Sequence, residues 1–163
     1  MTGDTVLFLD FDGVLNSEGF LRWQRNHSDE QKPFDAENID ALNSLIQRLG
    51  ISRIVVSSSW KIGRSLDELR SLLCEAGMEY SEYVTDVTAG GSSGSEGRAE
   101  EILEAISRLE ISDFLILDDF NLSEYFDERF YRVDSSKGLE MALVETILAD
   151  FVGLRGLNQS ELK

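Results

Sequence analysis

The stretch Val6-Leu7-Phe8-Leu9-Asp10-Phe11-Asp12-Gly13-Val14-Leu15-Asn16 constrains this chain more than any other. Four consecutive apolar residues, Val6 to Leu9, cannot alternate between a wet and a dry face. The strand they predict is therefore covered on both sides, as in a parallel sheet with helices on each face. Asp10 stands at the carboxyl end of that strand, the edge where open α/β sheets present their ligands. Asp12 follows two positions later, and Gly13 permits a sharp turn. Two carboxylates this close repel unless a cation lies between them or one keeps its proton. A hard divalent ion, Mg²⁺ first, satisfies them through carboxylate and substrate oxygens. An acidic turn after a strand is the plainer alternative.

Strands and helices alternate along the rest of the chain, which predicts an α/β fold with right-handed crossovers. Asp35 caps a helix to about Leu49, with Ile39, Leu42, Leu45, Ile46 and Leu49 on one face and Gly50 terminating it. A second strand, Ile51 to Ser57, leads into Ser57-Ser58-Ser59-Trp60. Ser65 and Glu68 form a capping-box pattern for a helix carrying Leu66, Leu69, Leu72, Leu73 and Ala76, inside which Cys74 reads as a buried, inert thiol. Tyr83 to Val87 is a short strand. Ala89 to Gly97 is a mobile Gly/Ser loop, and a helix runs from about Arg98 to Leu109. Phe114 to Leu117 is another buried strand that ends in acid, Asp118-Asp119. A helical turn over Leu122 to Phe126, a strand over Phe130 to Val133 and a helix from about Ser136 to Phe151 complete a single domain spanning 1–163. Residues 153–163 read as a fraying tail. Residues 16–34 read as a polar flap or helical turn whose Phe20, Leu21 and Trp23 either shield the site from water or pin the loop to the core.

Composition narrows the function. The formal charge of −16 opposes general affinity for nucleic-acid backbones and anionic membranes. No apolar run approaches the roughly 20 residues of a membrane span, and Met1-Thr2-Gly3-Asp4 shows no signal-peptide pattern. One cysteine suits a reducing cytoplasm. The single histidine, His27, lies in a polar stretch and reads as a surface residue, which disfavours a Ser-His-Asp triad.

In a parallel sheet every strand delivers its carboxyl end to one rim. Asp10, Asp12, Asp118 and Asp119 should converge there, at a cost only a cation relieves. Ser57, Ser58 and Ser59 should reach the same rim with hydroxyls and backbone amides fit for an anion.

These motifs together resemble the haloacid-dehalogenase-like (HAD) phosphohydrolases, over most of the chain. The resemblance implies a three-layer Rossmannoid fold, with Asp10 as nucleophile and Asp12 as general acid/base. It also implies Ser57 or Ser58 as the second-motif residue, Asp118-Asp119 as the acidic fourth motif, and Mg²⁺ held by Asp10, Asp12, Asp118 and Asp119. Ser58 is preferred because Trp60 resembles the Trp of relatives with Thr-Gly-Trp at this place. Arg98 best matches the basic third motif, although most relatives use Lys; Lys61 and Arg64 are the alternatives. The Ser-Ser-Trp sequence is similar to small HAD domains of RNA-repair proteins. No insertion is long enough for a cap domain, so the expected substrate is a phosphorylated small molecule or macromolecular end at an open site. Two other readings stand beside the phosphatase: an inactive HAD-like binding module, and a phospho-acceptor receiver domain. The order of the acidic motifs disfavours the receiver.

Overall fold

The computed structural model describes residues 4–91 and 93–161, with side chains as far as Phe151. The elements in chain order are β1 Thr5–Leu9, α1 Glu18–His27, α2 Ala36–Leu49, β2 Ile51–Val56, α3 Leu66–Glu75, β3 Val84–Val87, α4 Gly94–Arg108, β4 Asp113–Asp118, β5 Phe130–Arg132 and α5 Met141–Glu161. The five strands form one parallel sheet in the order β3-β2-β1-β4-β5.

The apolar run of β1 lies at the centre of that sheet, and its side chains divide between two cores. Leu7 and Leu9 pack with Ile39, Leu42 and Ile46 of α2, Leu69 and Leu73 of α3, and Val144 and Ile147 of α5. Val6 and Phe8 face the other way, against Ala99, Ile102 and Ala105 of α4. The period-2 alternation of a strand thus builds helix, sheet and helix layers from one short segment. The chain lays β2 and β3 on one side of β1, then crosses to lay β4 and β5 on the other. That reversal puts a topological switch point between β1 and β4, the place where such sheets bind ligands.

Backbone hydrogen bonds carry the ladder one residue beyond the strands. Asp10 N donates to Leu117 O (3.1 Å), Ser57 N to Leu9 O (2.9 Å) and Thr88 N to Val56 O (3.0 Å). Asp10, Ser57, Thr88 and Asp118 therefore stand side by side along one rim.

Local signals held at the helix starts. Asp35 accepts from Glu37 N at 3.0 Å, Gly50 ends α2 at φ 76°, and Ser65 accepts from Glu68 N at 3.1 Å. Several boundaries differ from the sequence reading. The expected flap contains a full helix, α1, capped by Ser17 and tied to residues 135 and 136 by Glu18 N and Gly19 N. Gln24 holds both backbone groups of Lys32, which folds the return limb against α1. α4 begins at Gly94, four residues before Arg98, so the loop is shorter than expected; Ser92 lies outside the described residues. α5 begins later, at Met141, and its backbone remains helical past Gly153 to Glu161, where a tail was expected; Leu162 and Lys163 lie outside the described residues. Cys74 is exposed rather than buried, because it stands one step round α3 from the inward Leu69 and Leu73. Among the described residues no helix is long and apolar enough to cross a membrane, and no cap domain covers the carboxyl rim.

Candidate active site

A cleft of about 470 Å³ opens at the carboxyl rim, lined by Asp10, Asp12, Asp119, Ser58, Ser59, Lys61 and Arg98 among others. Asp10 reaches it from the end of β1, and Asp118 and Asp119 from the end of β4. One oxygen from each of Asp10, Asp118 and Asp119 lies within 4.8 Å of the other two. Three carboxylate oxygens gathered at one point could hold a hard divalent cation, which takes oxygen ligands. Gly13 allows the approach. It adopts φ +80°, and a Cβ there would come 2.6 Å from Asp119 Oδ2.

Charge in this cluster is unbalanced. Asp10 is 3% exposed and Asp118 fully buried. Burial, helped by the negative charge of Asp118, pushes the Asp10 carboxyl up to about 9, against the opposing pull of Arg98. Burial also raises Asp118, but only to about 6, because Arg98 and the Phe120 amide stabilise its charged form. Arg98 Nη1 donates to Asp118 Oδ2 at 2.6 Å and lies 3.4 Å from Asp10 Oδ1. Its guanidinium stacks on Phe120, 4.8 Å from the ring centroid. With all three acids ionised, one guanidinium leaves two negative charges unmatched, which a divalent cation would balance.

Asp12 is set apart from this group. Its side chain is exposed, and its Oδ1 accepts from Trp60 Nε1 at 2.8 Å and Asn16 Nδ2 at 3.1 Å. Trp60 is in turn held by Phe11 and Phe34, with ring centroids 5.9 and 5.1 Å away. These aromatics stand where the flap residues were expected to act; exposed Trp23 instead stacks on His27.

The three serines separate. Ser58 and Ser59 line the cleft, whereas Ser57 Oγ is buried with no hydrogen-bond partner among the described residues. Ser58 Oγ accepts from Trp60 N at 3.3 Å, starting the 3-10 turn Ser59–Lys61. The three candidate cations also separate. Arg98 faces the acids, although it sits in the first turns of α4 rather than at its opening. Lys61 Nζ turns to Thr88 Oγ1 (2.6 Å) and Glu101 Oε1 (3.2 Å). Arg64 lies over the Trp60 ring and donates to Trp60 O. The sequence reading missed Asn16, Thr88, Glu101 and Phe120. Glu101 carried a signal, as an acid among the inward positions Ala99, Ile102 and Ala105 of an amphipathic helix.

Searches of curated proteins and of solved structures find no match. The family model of the HAD domain in Swiss Army Knife RNA repair proteins matches residues 6–144, nearly the whole sheet and every rim motif, and the chain belongs to that family.

Proposed function

We propose that this chain is a Mg²⁺-dependent phosphoric monoester hydrolase that passes the phosphoryl group through an aspartyl phosphate on Asp10. The observation that carries the reading is the contrast between Asp10 and Asp12. Asp10 is buried among acids and a guanidinium, while Asp12 is exposed and held by an indole and an amide. Two carboxyl groups in one cleft with such different surroundings suit two different roles.

Asp10, Asp118 and Asp119 would hold the metal through carboxylate oxygens, with the Asp12 carbonyl as a further ligand. Bound there, the ion would favour the ionised form of Asp10 despite its burial and let an anionic phosphate approach. Asp10 attacks phosphorus in line with the leaving oxygen. Ser58 and Arg98 donate to the non-transferring phosphoryl oxygens, where charge persists through the transition state. Asp12 gives its proton to the departing alkoxide, then takes one from the water that hydrolyses the aspartyl phosphate. Trp60 and Asn16 both bind Oδ1 of Asp12, which fixes the carboxyl plane and leaves Oδ2 for the proton.

Among the described residues no cap covers the cleft, which suits a phosphate carried on a small molecule or at the end of a macromolecule. Family membership favours a phosphorylated nucleic-acid end among these, recognised locally, since the charge of −16 opposes general backbone binding. A lone exposed Cys74 suits a reducing cytoplasm.

Rapid-quench labelling with a ³²P-phosphomonoester in Mg²⁺ tests the mechanism. Label should accumulate on the wild-type protein and on Asp12→Asn, and be absent from Asp10→Asn. Asp12→Asn should lose about 10²–10⁴-fold in the rate of phosphoryl transfer to Asp10 from alkyl phosphates, and much less from aryl phosphates, whose leaving group needs little protonation; loss of the base for hydrolysis slows the second step alike for both. Label on Asp10→Asn, or equal losses for both leaving-group classes, refutes the assignment.

A further inference from the structure

We infer that Lys61, Thr88 and Glu101 form a buried brace that positions Arg98 and Ser58 across the cleft without touching the phosphoryl group. The inference rests on the phosphatase reading of that cleft. Lys61 follows Ser58 by three residues and Glu101 follows Arg98 by three. Lys61 and Glu101 border the same cleft as Ser58 and Arg98, with their charged ends turned to each other. Both side chains are 7% exposed, with Nζ 3.2 Å from Oε1. Thr88 completes the brace: it accepts from Lys61 at 2.6 Å, and its hydroxyl lies 3.5 Å from Val56 O at the end of β2. The ends of β2 and β3 and the second turn of α4 are thereby joined at one point.

The start of α4 needs such an anchor. Its N-cap, Ser93, makes no side-chain capping bond, and its first turn contains Gly94 and Gly97. Gly90 and Gly91 precede it, so local propensity does little to set where Arg98 sits. Gly90 adopts φ +95°, and a Cβ there would come 3.0 Å from Glu101 Oε1, so the loop closes directly onto the brace. Energetics point the same way. A buried ion pair rarely stabilises a fold more than an apolar pair of similar volume, because desolvation offsets the attraction. Its contribution here is directional: a charged hydrogen bond holds its partners in one geometry, which an apolar contact does not.

The test is the double variant Lys61→Met/Glu101→Leu, which removes both charges and strands neither. It should unfold within a few degrees of wild type. Amide exchange across residues 89–98 of the metal-free protein should quicken about tenfold or more, and the inhibition constant for inorganic phosphate in Mg²⁺ should rise about tenfold, as a small misplacement of binding groups predicts. Lys61→Arg, which keeps the charge and the reach, should recover most of the phosphate affinity. Unchanged exchange together with unchanged phosphate inhibition overturns the brace, and so does a double variant that fails to fold. If the wild-type protein does not bind phosphate in Mg²⁺, the phosphatase reading falls, and amide exchange alone decides the brace.

Discussion

Replacing Asp10 by Asn should stabilise the metal-free protein while removing the response to Mg²⁺. Asp10 is 3% exposed and faces Asp118 and Asp119, with Arg98 as the compensating charge. Burial and the Asp118 charge raise its carboxyl from an ordinary 3.8 to about 9. The sign follows directly. Between those values the folded protein holds a proton that the unfolded chain has released, so the stabilisation from this group is complete below about 3.8 and is lost as pH rises towards 9. At pH 7 the loss, at about 1.4 kcal/mol per pH unit, amounts to roughly 4 kcal/mol relative to acid. Asn has the same shape and no such slope. Its amide must find partners beside Arg98, so the net gain at pH 7 should be about 2 kcal/mol, or roughly 4–8 °C in Tm for a chain of this size. Mg²⁺ at a hundredfold its Kd should stabilise wild type by about 2.7 kcal/mol and Asp10→Asn by far less. Thermal unfolding at pH 5, 7 and 8.5, in chelator and in Mg²⁺, reads both effects. An Asn variant less stable than wild type at pH 8.5 in chelator, or one that gains as much from Mg²⁺, refutes the reasoning.

Arg98→Ala should lower kcat/KM by about 10²–10³-fold through loss of phosphoryl-oxygen stabilisation, and steady-state kinetics with an aryl phosphate checks it. Gly13→Ala should cost about 1–2 kcal/mol for its left-handed φ and push Asp119 away from the other acids; calorimetric Mg²⁺ affinity should fall, while the total helix and strand content by circular dichroism stays unchanged. Trp60→Phe keeps the aromatic packing but removes the bond to Asp12 Oδ1, worth about 1 kcal/mol, so kcat should fall about fivefold with alkyl phosphates and less with aryl ones; an equal fall with both would count against a role through Asp12.

Much of this architecture was readable from short local patterns. A continuous apolar run is incompatible with a half-wet strand, so Val6 to Leu9 and Phe114 to Leu117 announced buried parallel strands. The acids that follow them had to meet, because parallel strands share one carboxyl rim. Helix starts at Asp35 and Ser65 were legible because a side chain capping its own backbone is a local interaction. Other features depended on contacts between residues distant in sequence. Ser57 and Ser58 are chemically identical neighbours, and only their directions relative to the sheet separate them, one into the packed interior and one into the cleft. Arg98 and Lys61 are both cations near the rim, and their partners distinguish them: Asp118 lies twenty residues from Arg98, and Glu101 forty from Lys61. Only a helical turn was legible in the flap, because its composition is polar; the full helix α1 is held by contacts to residues 135 and 136 and by the Gln24–Lys32 bonds, none of which a periodicity reports. Residue pattern thus settles which groups arrive at the rim, since strand direction and burial are encoded locally. Their partnerships there, Asp12 with Trp60 and Asn16, Arg98 with Asp118, and Lys61 with Glu101, arise only when the packed layers bring distant side chains within hydrogen-bonding reach.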